Sequence, residues 1–160
     1  MEKKTVSVVM CTYNGERFLR EQMDSILAQT YPIHEIIISD DCSTDGTMDI
    51  LREYAAKHTF IKIHQNARNK GCNQNFHDTF KFVSKETDYI AISDQDDIWF
   101  PEKVEKLVQS IEKKKDTTCA SLTLYLPQPA LISKPKTTSH CLSPQSLCFL
   151  ETIYRGTPCL

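Results

Sequence analysis

No stretch of this 160-residue chain is apolar for long enough to cross a bilayer as a helix. Its opening, MEKKTVSVVM, is too short and too charged to read as a secretory leader. No C-x-x-C pair occurs. Seven scattered cysteines, an odd number, argue against both a disulfide framework and a zinc ribbon. An excess of one charge is missing too: 19 Lys and Arg face 21 Asp and Glu, for a formal charge of −2. No basic surface is implied, so nucleic acid is not expected as a partner. Two phosphate-binding fingerprints are also absent. Without G-x-x-x-x-G-K-[ST] the chain is no P-loop NTPase, and without G-x-G-x-x-G it lacks the usual dinucleotide loop. The expectation is a chain of about one domain's length, with no transmembrane segment. Its expected place is the cytoplasm, the inner face of the membrane included.

Charge is also scarce in one part of the chain. Residues 117–160 hold only Lys134, Lys136, Glu151 and Arg155 of the 40 Asp, Glu, Lys and Arg residues. The same stretch holds five of the seven prolines, four of the seven cysteines and twelve Ser or Thr. No helical or alternating period continues beyond about Tyr125. The expected division is therefore an ordered unit over 1–116 and an atypical tail over 117–160, either disordered or read in a slipped frame.

Within the first unit, strand and helix signals alternate. TVSVVMCT (Thr5–Thr12) and EIIIS (Glu35–Ser39) read as buried strands, Phe60–His64 as a short strand, and YIAIS (Tyr89–Ser93) as a fourth. Helical spacing predicts helices over Glu16–Gln29, Asp45–Lys57, Gly71–Ser84 and Glu102–Lys115. Ser43 or Thr44 is the expected cap of the second helix, and Pro101 suits the first turn of the last. This order predicts an α/β fold: a mostly parallel sheet with helices on both faces. Ligands of such sheets bind beyond the carboxyl ends of the strands.

The residues there are polar. Thr12, Tyr13 and Asn14 follow the first strand; Asp40, Asp41, Cys42 and Ser43 follow the second; Asp94, Gln95, Asp96 and Asp97 follow the fourth. Five carboxylates on one edge repel unless a cation offsets them. Oxygen ligands suit Mg²⁺ or Mn²⁺ held by few protein groups plus substrate phosphates. An EF-hand is excluded because Asp41-x-Ser43-x-Asp45-Gly46 leads to Arg52 at the twelfth position in place of a glutamate. A phospho-receiver would carry acids after its first strand, where this chain has Thr-Tyr-Asn.

Four motifs then resemble one family, the family 2 inverting glycosyltransferases of the GT-A fold. They are Ser7–Gly15 (SVVMCTYNG), Ser25–Tyr31 (SILAQTY), Glu35–Thr47 (EIIISDDCSTDGT) and Ile92–Lys103 (ISDQDDIWFPEK). The last takes the D-x-D form of bacterial rhamnosyltransferase-like members. The resemblance covers roughly residues 4–116, the nucleotide-sugar half of the family's domain, and so implies a truncated GT-A fold. It implies that Tyr13 packs on a nucleotide base, that Asp41 accepts the base's N–H, that Asp94 lies near the ribose and that Asp96, with Asp94, reaches the metal. Thr12, Asn14, Asn69, Gly71 and Asn75 join the implied nucleotide site, with Gly71 allowing close approach of backbone. The implied donor is a UDP- or dTDP-linked sugar, the acceptor a saccharide or lipid-linked hydroxyl, the setting cell-surface polysaccharide synthesis.

Blander roles stand beside these. Asp40 suits an Asx turn, Ser43 a helix cap, Asp97 a turn cap, and Trp99 and Phe100 packing or a wall on the substrate side. His34, His58, His64, His77 and His140 show no metal spacing, and Cys11, Cys42 and Cys72 read as small fillers. Inverting transfer needs a general base, which the family places beyond the D-x-D region. The only acid after Asp116 is Glu151, and FLETIY does not resemble that segment. No base is assigned, so little turnover is expected of this chain alone. Two alternatives remain: a catalytically inactive nucleotide-sugar-binding fragment, or a sugar-phosphate nucleotidyltransferase, which would want a Gly-rich basic loop where Tyr13-Asn14-Gly15-Glu16 stands.

Overall fold

The computed structural model describes residues 3–113, 119–121 and 152–155. Apolar β-branched runs form β1 (Val6–Thr12), β2 (Glu35–Asp40), β3 (Ile61–Gln65) and β4 (Tyr89–Ser93). Between them lie α1 (Glu16–Leu27), α2 (Thr47–Lys57) and α3 (Cys72–Thr79), and α4 (Lys103–Lys113) follows. Two short strands, β5 (Cys119–Ser121) and β6 (Thr152–Arg155), complete one sheet of order β3-β2-β1-β4-β6-β5. The first four strands are parallel; β6 is antiparallel to β4 and to β5.

Alternation along each strand sorts the core into two layers. Val8, Met10, Ile36 and Ile38 pack under α1, α2 and α4, against Leu19, Met23, Leu51, Val104 and Val108. Val9, Cys11, Ile37 and Ile92 face the other way and meet Phe76 of α3. The expected helices on both faces are present, three on one side and one on the other. Cys11 is a buried filler: its Sγ sits 3.8 Å from the Thr79 hydroxyl, and burial pushes its thiol up, which suits no nucleophile.

Several boundaries differ from the sequence expectation. The third helix stops at Thr79 and continues as a single 3₁₀ turn over Phe80–Phe82. There the His64 and Phe82 rings stack 3.8 Å apart. The last helix starts at Lys103, with Pro101 in the turn before it. The second helix is not capped by Ser43 or Thr44. Gly46 precedes it, and the N-termini of α1 and α2 cap each other. Glu16 accepts the Gly46 N–H at 2.9 Å, Asp45 accepts the Glu16 N–H at 3.1 Å, and Thr47 Oγ1 accepts the Gly15 N–H at 2.8 Å. Each helix start thus satisfies orphan donors of the other. The expected looseness from about Tyr125 falls outside the described residues, apart from Thr152–Arg155, which form β6. His140 and Glu151 also lie outside them.

Glu35, buried at the start of β2, ties the bottom of the sheet together. It accepts from Lys62 Nζ at 2.7 Å, the Ser84 N–H at 2.7 Å and Ser7 Oγ at 3.1 Å. Burial works to raise its carboxyl, but these donors overcome it and hold it below the ordinary 4.5. A depressed carboxyl contributes stability above its unfolded value and loses it as pH falls through the folded one. Glu35→Gln is therefore expected to cost about 1–3 kcal/mol near neutrality. Urea midpoints followed below pH 4.5 should show a shallower acid loss in the variant than in the wild type.

Candidate functional site

The sheet order runs outward from β1 in both directions, so its switch point lies between β1 and β4. The two loops leaving these strands are joined there by one side chain. Gln95, the middle residue of Asp94-Gln95-Asp96, accepts the Tyr13 N–H at 2.8 Å and donates to the Tyr13 carbonyl at 3.1 Å. Tyr13 itself stays 47% exposed at this edge, available for a planar ligand. Gly15 leaves room for the joint: a Cβ there would fall 2.3 Å from Gln95 Oε1. Gly15→Ala is expected to push Gln95 off Tyr13 and cost about 1–2 kcal/mol. The same change in a Gln95→Ala background should cost less, a non-additivity that a double-mutant cycle in urea would measure.

The second wall is the loop after β3. Asp41, at the end of β2 and 3% exposed, accepts Asn66 Nδ2 at 2.9 Å, the Gly71 N–H at 2.8 Å, and the Lys70 N–H on both oxygens at 2.9 and 3.0 Å. These bonds fold the 66–71 turn against β2. Gly71 has φ +83° and ψ 156°, a region essentially restricted to glycine. A Cβ there would meet no protein atom within 4 Å, so within the chain itself this glycine supplies a backbone conformation. Asn69 caps the turn by accepting the Gly71 N–H at 3.0 Å.

The remaining residues divide between surface and support. Asn14, at φ +48°, donates its N–H to Ser43 Oγ at 2.9 Å and accepts the Thr44 N–H at 2.9 Å. Thr12 is buried and donates to Asp40 at 3.0 Å. Asp40 is fully buried and also accepts from Gln65 Nε2 and from the Ser43 N–H, three residues on rather than the two of the expected Asx turn. Asn75 is 1% exposed, bonded to Ser39 at 2.6 and 2.9 Å and to Asn66 at 2.8 Å. Thr12 and Asn75 thus lie beneath the site floor.

Asp94, Asp96 and Asp97 stand on the β4 loop, Asp96 exposed and the others half-buried. Burial pushes the Asp97 carboxyl up; Lys103 opposes this and Asp96 adds to it. Five carboxylates were expected together; the structure instead neutralises Asp40 and Asp41 with donors and leaves the β4 acids as a group. Among the described residues no three Asp, Glu, His or Cys groups are close enough to hold a metal by themselves. Two carboxylates plus ligand oxygens is the arrangement this donor set fits. Trp99 is buried in the core beside them, with Lys103 Nζ 4.2 Å over its ring. Phe100 is 70% exposed, so it walls no core. Sequence reading singled out neither Gln95, Asn66 nor Lys103. Gln95 sat inside the D-x-D motif, and Asn66 reveals itself only through partners far away in the chain. A separate cleft of about 530 Å³ lies between β3 and α3, near Asn66, Lys70 and Asp78, away from the acids.

This mostly parallel, helix-covered sheet has the GT-A form of α/β fold, which it shares with solved structures. The family model for glycosyl transferase family 2 matches residues 7–157, so the chain belongs to that family. It is 43% identical over 111 residues to "Putative glycosyltransferase EpsE" of Bacillus subtilis, covering 69% of this chain and 39% of that protein. It is 40% identical over 105 residues to dTDP-rhamnosyl transferase RfbG of Shigella flexneri, covering 64% and 36% respectively. The chain thus spans well under half the length of these relatives. Among solved structures, S. aureus TarS 1–349 in complex with UDP shares the fold at TM-score 0.66 and 24% identity, over 94% of this chain and 46% of that one. Mannosyltransferase PcManGT from Pyrobaculum calidifontis, in complex with GDP-Man and Mn²⁺, does so at TM-score 0.66 and 23% identity, over 76% and 36%. Among the described residues, no helix is long and apolar enough to cross a membrane.

Proposed function

We propose that this chain is the donor-binding half of a metal-dependent glycosyltransferase. It takes a UDP- or dTDP-linked sugar for transfer, with inversion, to a saccharide or lipid-linked hydroxyl in cell-surface polysaccharide synthesis at the cytoplasmic side. The observation that carries this reading is the joint between the Tyr13 backbone and Gln95, which ties the loop of an exposed tyrosine to the loop that carries Asp94 and Asp96. The kinds of donor named for the relatives, dTDP, UDP and GDP-Man, support a nucleoside-diphosphate sugar.

Tyr13 stacks on the base. Asp41 accepts the imide N–H of a uracil or thymine in exchange for one share of the Lys70 N–H, which now divides between its two oxygens. Asp94 stands near the ribose, and Asp96, with Asp94, would hold Mn²⁺ or Mg²⁺ against the diphosphate. That cation, when bound, supplies charge neutralisation to the leaving diphosphate. Thr12, Asn14 and Asn75 serve by fixing the loops that carry these groups, as does the 66–71 turn. The ordered unit over 1–116 carries all of them.

Titration calorimetry with UDP, dTDP and GDP, with and without Mn²⁺, tests the reading. UDP or dTDP should bind at least several-fold tighter with the metal. Equal affinity in a folded chain counts against it.

A further inference from the structure

The acidic loop is held from behind by a column of polar side chains on and just past α1. Gln22, fully buried, donates to Ser93 Oγ, the last residue of β4 before Asp94. One turn later Ser25 Oγ accepts the Trp99 N–H at 3.0 Å. One turn further, Gln29 spends its whole amide on this junction. Its Nε2 donates to the Phe100 carbonyl at 2.8 Å and the Ser25 carbonyl at 3.1 Å, and its Oε1 accepts the Val104 N–H at 3.0 Å. Thr30 adds a main-chain bond to the Pro101 carbonyl at 2.9 Å.

We propose that Gln29 is a positioning residue for the acidic loop: it clamps the loop's exit at Phe100 and Val104, so that Asp94–Asp97 are held at a fixed place for the metal. A helix surface needs apolar residues here to pack its neighbour. Gln22 and Ser25 are instead turned inward and bonded, so the stripe serves the loop as well as the core. With Ser93 tied at one end, Gln95 joined to Tyr13, and Trp99 to Val104 held at the other end, only Asp94 and Asp96–Ile98 lie between anchors. A carboxylate pair fixed in advance spends less of the metal's binding energy on ordering itself. Gln29 also serves as a cap in trans, because the Val104 N–H lies in the first turn of α4 and has no carbonyl of its own helix to meet.

The clamp rests on the acidic loop being the metal site proposed above, and the test keeps the two apart. Trp99 is the chain's single tryptophan, and it reports on the loop without any metal. Its indole N–H is buried and lacks a partner among the described residues, so loosening the loop lets water reach it. Gln29→Ala, and Gln29→Met as the variant that keeps side-chain length, are compared with the wild type by far-UV circular dichroism, Trp99 emission with iodide quenching, and UDP titration with and without Mn²⁺. With helix content unchanged, both variants should shift Trp99 emission to the red and raise its quenching. The ratio of UDP dissociation constants without and with Mn²⁺ should fall about 10-fold. Trp99 emission and quenching equal to the wild type overturn the clamp. So does a wild-type-like metal ratio, because a role confined to stability would leave that ratio in place. A wild type that shows no metal effect refutes the metal reading of the loop, and Trp99 emission then still decides whether Gln29 holds it.

Discussion

Asp96→Asn is expected to abolish the Mn²⁺-dependent gain in UDP affinity, a loss of about 10-fold or more, with little change in the unfolding midpoint. Asp96 is exposed on the β4 loop, so its carboxylate contributes little to folding. Its charge acts on the neighbouring Asp97 carboxyl, and a divalent cation gains from such adjacent negative charge. An amide keeps the shape and removes the charge. The contrasting variant is Asp40→Asn. Asp40 is fully buried and accepts from Thr12, Ser43 and Gln65; an amide donor turned toward those donors leaves one unsatisfied. That change should cost about 1–3 kcal/mol of stability. Calorimetry and urea unfolding on both variants separate ligand from scaffold. A metal-dependent UDP affinity that survives Asp96→Asn would remove the loop from the site.

The largest stability effect is expected at Ile38→Ala. Ile38 is fully buried in the middle of β2, in register with Met10 on one side and Ile63 on the other. It belongs to the layer under α1, α2 and α4. Truncation removes buried methyl groups and leaves a cavity that neighbours held in two parallel ladders cannot fill. The expected cost is about 2–5 kcal/mol, a large share of the stability of one domain. Phe100→Ala, a larger truncation by atoms, should cost no more than about 0.5 kcal/mol, because that ring is 70% exposed. Unfolding in urea at unchanged slope checks both. Equal costs would mean that Phe100 packs on something in solution.

The sequence by itself determined the α/β order, the mostly parallel sheet and the edge that carries the candidate site. Apolar periods of two and of 3.6 are local properties, readable from neighbours in the chain. Tyr31-Pro32 and Asn14-Gly15 mark breaks the same way, and the D-x-D motif placed Asp94 and Asp96 at a strand end before any contact was known. What only the tertiary structure decided is which polar residues look outward. Thr12 and Asn75 read like ligand groups; they are buried and bonded within the chain, Thr12 to Asp40 and Asn75 to Ser39 and Asn66. Ser43 read as a cap and instead joins Asn14 to Asp40. The helix expected to run to Ser84 ended at Thr79, with β3's His64 stacked on the turn that follows. Gln95 and Gln29 lay inside motifs that gave them no role of their own, because their partners stand 82 and 71 residues away in the chain. A hydrogen bond is directional and needs its partner within about 3 Å, and only the folded backbone brings such distant groups that close.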